Sequence, residues 1–162
     1  MTKNKRLMFV YGTLKKGERL HGLLSKQKRI GSAITTDSNF TIKDFLNSYP
    51  ITFRHFDTKL CKYKIKGELY EIKSDVVYES VVAMELNAGY ELVNTIVETE
   101  DGKEHIAEMF LVEETPAKVG GNTILTNKRI VTTDNVKEWT TKVWAPISLM
   151  TYVLGLQGLC YS

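Results

Sequence analysis

The sequence has little of what would tie a chain together covalently or through metal. Of its 162 residues only two are cysteine, Cys61 and Cys160. They lie far apart, and neither has a cysteine or histidine at ligand spacing. No zinc site and no disulfide framework is implied, and both are read as free thiols. The three histidines, His21, His55 and His105, lack the mutual spacing of a metal centre. Proline is scarce as well, with three residues, and no stretch is of low complexity, so the composition gives no sign of disorder.

Long apolar runs are missing too. The segment Met1 to Arg6 is polar and basic after the first residue, and only about five apolar or aromatic residues follow it. That is too short for the core of a signal peptide or for a membrane helix, so the expectation is a cytoplasmic protein that engages no membrane. Val119-Gly120-Gly121-Asn122 lacks the Gly-Lys-Ser/Thr ending of a phosphate-binding loop. The net charge of +3 comes from lysines and arginines spread over Lys3–Arg6, Lys15–Arg19, Lys26–Arg29 and Lys59–Lys66. With no nucleic-acid motif beside them, these read as solvated cations, and no nucleic-acid partner is expected. Serines, threonines and acids are too numerous for a Ser/His/Asp set to stand out.

What remains is ordinary for a globular protein: 43% hydrophobic and 25% charged residues. The length suits a single domain spanning 1–162. The pattern is rich in strands with one good helix. Strands are expected at Arg6–Tyr11, Lys28–Thr36, Phe40–Ile42 and Tyr63–Ile72, the last with Gly67 as a bulge. Leu92–Thr99 and Glu104–Val112 form a hairpin over Glu100-Asp101-Gly102-Lys103, where Asp-Gly suits a tight turn. Most consecutive strands are expected to pair as neighbours. The helix begins at the N-cap Ser74, with Asp75 complementing its dipole, and Gly89 suits the left-handed position beyond its end. Val77, Val81, Met84 and Ala88 recur on one inward stripe, which points position 88 at the core or at a pocket in it. From 115 to 147 the composition shifts and the structure is uncertain. Gly120-Gly121-Asn122 reads as a turn, Thr123–Thr133 as strand-like, Asn135–Trp144 as polar with two tryptophans, and Ser148–Leu154 as an apolar tail closing the core.

The most telling stretch is Tyr11-Gly12-Thr13-Leu14. It follows the apolar run Leu7-Met8-Phe9-Val10 and precedes Lys15-Lys16-Gly17. A buried strand that breaks at such a turn leaves backbone N–H groups free to converge on a carboxylate or phosphate, with Gly12 allowing close approach. An ordinary strand ending in a glycine turn would look the same.

Val10–Gly17, with His21 close behind, resembles the opening signature of the γ-glutamylcyclotransferase-like proteins, in particular the γ-glutamylamine cyclotransferase and AIG2-like branch. Tyr49-Pro50-Ile51, Ile65-Lys66-Gly67-Glu68-Leu69-Tyr70-Glu71-Ile72 and Met84-Glu85-Leu86-Asn87-Ala88-Gly89-Tyr90 are similar to its later segments, in the same order. Met150-Thr151-Tyr152-Val153 is a fainter echo. The resemblance implies an α+β fold, a small curved mixed β-barrel with one main helix. It places the pocket between the Tyr11–Leu14 loop and the helix end. It also implies the chemistry: the α-amine of a γ-glutamyl group attacks its own side-chain amide carbonyl, releasing 5-oxoproline and an amine. On this reading Tyr11, Gly12, Thr13, Leu14, Tyr49 and Tyr90 bind a small anionic or γ-glutamyl-like ligand. No cofactor or metal is implied, and the protein is a monomer or a weak homodimer.

One departure stands out. The glutamate that shuttles the proton in the family falls on position 88, and this chain has Ala88. Three accounts fit: a glutamate-to-alanine replacement made in an active enzyme, a natural protein that binds or sequesters its ligand in the same pocket, or substitution by Glu85 or Glu91. Of these two, Glu85 shares the face of position 88 only in part, and Glu91 lies beyond the helix cap.

Overall fold

The structure is a computed structural model that describes residues 6–45, 48–55, 59–114 and 125–141. The expectations for Met1–Lys5, for the turn at Gly120-Gly121-Asn122, for Trp144, for the tail Ser148–Leu154 with its echo at Met150–Val153, and for Cys160 fall outside those residues.

The chain forms a closed, mixed barrel of five strands. Strand β1 (Leu7–Val10) pairs antiparallel with β5 (Lys64–Glu71) and parallel with β7 (Glu104–Leu111). Strand β2 (Lys28–Thr35) pairs antiparallel with both β5 and β6 (Glu91–Thr99), and β6 pairs with β7. The ring is therefore β1, β7, β6, β2, β5 and back to β1. Strands β9 (Ile130–Thr133) and β10 (Val136–Trp139) extend it beyond β5. A separate sheet of three strands joins β3 (Phe40–Phe45), β4 (Tyr49–Arg54) and β8 (Leu125–Thr126).

The alternation of side chains explains how two cores share one barrel wall. Phe9 and Tyr11 turn inward with Ile65, Leu69, Ala107, Met109 and Leu111. Met8 and Val10 turn outward with Tyr70, Ile72 and Phe110, and there they pack against Val81 of the helix α1 (Asp75–Asn87). The helix starts as its sequence indicates, with Ser74 Oγ accepting from the Val77 N–H at 3.2 Å. Asp75 in its first turn is held by Arg6. It ends in a Schellman motif: the Tyr90 N–H donates to Glu85 O and the Gly89 N–H to Leu86 O, both at 3.1 Å, with Gly89 at φ +98°.

Three expectations need correction. Gly67 is not a bulge, since its register with β2 is regular and the irregularity lies in β2 between Arg29 and Gly31. Glycine is needed at 67 because a Cβ there would lie 2.3 Å from Val10 O. Among the described residues consecutive strands mostly do not pair: only β3 with β4, β6 with β7 and β9 with β10 do so. Barrel closure instead joins strands far apart in sequence. The strand-like run Thr123–Thr133 divides into β8 and β9, and the stretch from Asn135 onward contributes β10, whose Trp139 is buried in the barrel core.

Candidate functional site

The loop after β1 is held from several sides. Lys15 N–H donates to Gly12 O at 3.0 Å, closing a turn over Thr13 and Leu14. The Leu20 N–H donates to Thr13 O at 2.9 Å, and His21 Nδ1 sits 3.0 Å from Leu14 O. Lys15 is buried, and its Nζ donates to Trp139 O of β10. Burial pulls this ammonium below its ordinary value, and Glu138 at 3.7 Å offsets part of the loss. Lys16 N–H donates to Glu68 of β5, and Thr141 donates to Glu18. The loop is thus clamped between the barrel and the segment after β9. Among the described residues, the N–H groups of Gly12, Thr13 and Leu14 donate to no backbone acceptor.

Facing the loop is the start of β4. Pro50 is tolerated there because β4 is an edge strand. The ring of Pro50 lies against Gly12 so closely that a Cβ on Gly12 would come within 2.6 Å of it. The small residue therefore serves contact with Pro50, and its φ is not in the left-handed region. Tyr49 stacks on Phe45, their ring centroids 5.1 Å apart. The third wall is the end of α1. The Tyr90 hydroxyl donates to Pro50 O at 3.0 Å, joining helix end to β4, and the Tyr11 hydroxyl donates to Phe110 O at 2.5 Å.

These walls enclose a cavity of about 240 Å³. Tyr11, Gly12, Thr13, Leu14, Tyr49, Tyr90 and Ala88 all line it, together with Pro50, Arg19, Met84 and Glu85. Ala88 does so from an exposed position at the helix C-cap, whereas Val81 of the same stripe is buried in the core. Glu91 points elsewhere: it is exposed and accepts from the Glu113 N–H. Among the described residues, Glu85 is the one carboxylate in the wall. Burial pushes its carboxyl up to about 7. No hydrogen bond or ion pair from a described side chain compensates it. Its charge in turn raises both Tyr11 and Tyr90, whose phenols burial already holds well above their ordinary value. A half-buried acid titrating near neutrality can both take up and release a proton.

The family model for gamma-glutamyl cyclotransferase, AIG2-like proteins matches residues 8–130. The chain belongs to that family. A candidate gamma-glutamylcyclotransferase of Pyrococcus horikoshii, PH0828, is 32% identical over 100 residues, covering 61% of this chain and 74% of its own. The crystal structure of PH0828 superposes with a TM-score of 0.51 at 27% identity, over 68% of this chain and 80% of that one. A mouse AIG2-like protein shares the fold with a TM-score of 0.57 at 20% identity, over 73% of this chain and 84% of its own.

Three of the segments that resemble the gamma-glutamyl cyclotransferase, AIG2-like family, the Tyr11–Leu14 loop, Tyr49-Pro50 and Met84–Tyr90, meet at this cavity, while Ile65–Ile72 runs along β5 and contributes no residue to its wall. The sequence pattern underrated Glu85. The helical stripe and the motif coincide at position 88, yet the neighbouring carboxylate Glu85 is the one that folding desolvates. Spacing does hint at it, since residues three apart share a helix face. The degree of burial does not show in the sequence.

The Glu85 shift has a consequence for stability. A carboxyl raised from its ordinary value of 4.5 to about 7 binds more protons in the folded state than in the unfolded state between those two pH values. Stability is therefore lost as pH rises through that window. We expect Glu85→Gln to melt like the parent at pH 4 and above it at pH 8. The gain is at most about 3 kcal/mol, less what solvent screening removes. Equal melting shifts at both pH values would show that Glu85 is not desolvated.

Proposed function

We propose that the cavity binds a small γ-glutamyl amide and that the protein belongs to the cyclising members of its family, slowed by Ala88. The carrying observation is the single cavity that unites the Tyr11–Leu14 loop, Tyr49, Tyr90 and the end of α1. On this reading the N–H groups of Gly12, Thr13 and Leu14 receive the substrate's α-carboxylate or the carbonyl oxygen as it gains charge. Arg19 at the rim adds a cation for an anionic ligand. The tyrosines shape the apolar sides and exclude water. The α-amine then stands next to the γ-carbonyl carbon of the same molecule, and ring closure gives 5-oxoproline and a free amine.

Ala88 favours a second reading, in which the pocket holds its ligand without converting it. An alanine cannot shuttle a proton, and loss of a positioned acid/base group costs about 10²- to 10⁴-fold in rate. It costs much less in ground-state affinity.

The test is a panel of γ-glutamyl amides with small amine or amino-acid leaving groups. Binding is measured by calorimetry, and the bound molecule is identified by mass spectrometry after long incubation and denaturation. Slow appearance of 5-oxoproline supports the enzyme, and intact ligand recovered in full supports the sequestering protein. No binding by any member of the panel would sink both readings.

A further inference from the structure

The cavity wall holds a carboxylate one helical turn from the residue at which the family resemblance expects one. We propose that Glu85 is the acid/base of this chain, acting on the ligand in place of the missing group at position 88. The inference rests on the proposed γ-glutamyl chemistry.

The geometry carries it. Glu85 and Ala88 line the same cavity from the last turn of α1. They are three residues apart, which sets them about 4.5 Å apart along the helix axis on one face. The small Ala88 leaves the cavity beside Glu85 open to a ligand. The backbone at Glu85 is fixed, because its carbonyl accepts from both the Ala88 and the Tyr90 N–H at 3.1 Å in the cap. Glu91 is exposed and accepts from the Glu113 N–H just beyond β7, which leaves Glu85 as the carboxylate of this wall among the described residues. The titratable and charged groups that line the cavity with it are Tyr11 after β1, Tyr49 of β4, Tyr90 after the helix and Arg19 of the loop, and Tyr11 and Tyr90 feel its charge. Burial keeps the Tyr11 and Tyr90 phenols protonated throughout the working range.

The step balances with Glu85 alone. Starting from the neutral α-amine, its nitrogen attacks the γ-carbonyl carbon while the Glu85 carboxylate takes one amine proton. As the old carbon–nitrogen bond breaks, Glu85 returns that proton to the leaving nitrogen. The carboxylate is regenerated, and 5-oxoproline and the amine depart. An ionised Glu85 is needed at the start, so the rate rises with pH through about 7.

The experiment uses the full chain and the γ-glutamyl amide of the panel that binds best. Glu85→Gln is expected to lower kcat by about 10²-fold while leaving calorimetric affinity within about threefold, and to remove the ionisation near 7 from the pH profile. Glu85→Asp should restore part of kcat and keep an ionisation in the profile. A Glu85→Gln protein with unchanged kcat, or with kcat and affinity lost together, would overturn the assignment. Binding with no turnover by the parent chain would overturn it too, leaving the pocket as a sequestering site. Absence of binding would instead mean that the γ-glutamyl reading itself had failed.

Discussion

Ala88→Glu is expected to raise 5-oxoproline release by about 10²-fold or more over the parent chain. The position is ready to receive the side chain. Ala88 caps the helix at φ −80° and ψ −3°, which any L residue adopts, and it is exposed while bordering the cavity. A second negative charge at the helix C-terminus opposes the dipole by about 0.3–1 kcal/mol, too little to unfold the protein. The gain comes from placement. Glu85 approaches from a turn further back, and a base displaced by even about 1 Å can lose 10²-fold in rate. Two carboxyls in one small cavity will also share a proton, so the pH profile of Ala88→Glu should show two coupled ionisations where the parent should show one near 7. In Ala88→Glu/Glu85→Gln the higher rate should persist with one ionisation. If no γ-glutamyl compound gains, with melting and affinity intact, the cyclotransferase reading of the pocket is wrong.

The second large effect concerns the barrel itself. Gly67→Ala is expected to destabilise the protein by about 3 kcal/mol or more, the upper part of the usual range for overfilling a packed core. The added Cβ would lie 2.3 Å from Val10 O, and 3.0 and 3.1 Å from two ring atoms of Phe9. The oxygen cannot yield by a rotamer change. It belongs to the backbone of β1, which is held in register against β5 from Leu7↔Glu71 to Val10↔Glu68. Val10 also leads directly into the Tyr11–Leu14 loop, so relief of the clash would displace the site. The melting temperature should fall by roughly 6–12 °C, and ligand affinity should fall with it. Gly22→Ala is the control: nothing lies within 4 Å of a Cβ there, and its melting should match the parent. Equal melting of Gly67→Ala and the parent would mean that β1 and β5 do not cross as closely as the structure has them.

The sequence determined the features governed by neighbours along the chain. Ser74 and Gly89 mark the ends of α1 because a side-chain acceptor and a left-handed φ are local requirements. The alternation in residues 28–35 and 64–71, and the hairpin on either side of Asp101-Gly102, follow from period-two burial and from turn chemistry. The turn at Tyr11–Leu14 was legible because a glycine turn after a buried apolar run is a local signal.

Only the tertiary structure decided what depends on distant partners. Closure of the barrel joins β1 to β5 and β7, and Pro50 packs on Gly12 while Tyr90 reaches Pro50 across 40 residues of chain. Lys15, which composition groups with solvated cations, is buried against Trp139 because β10 returns alongside β5 to cover it. Glu85 shows the same limit most clearly. Its residue type and its helix face are written in the sequence, but its proton affinity is set by water removed from around it. That removal is the joint work of the β1 loop, β4 and the helix end, which meet only when the chain is folded.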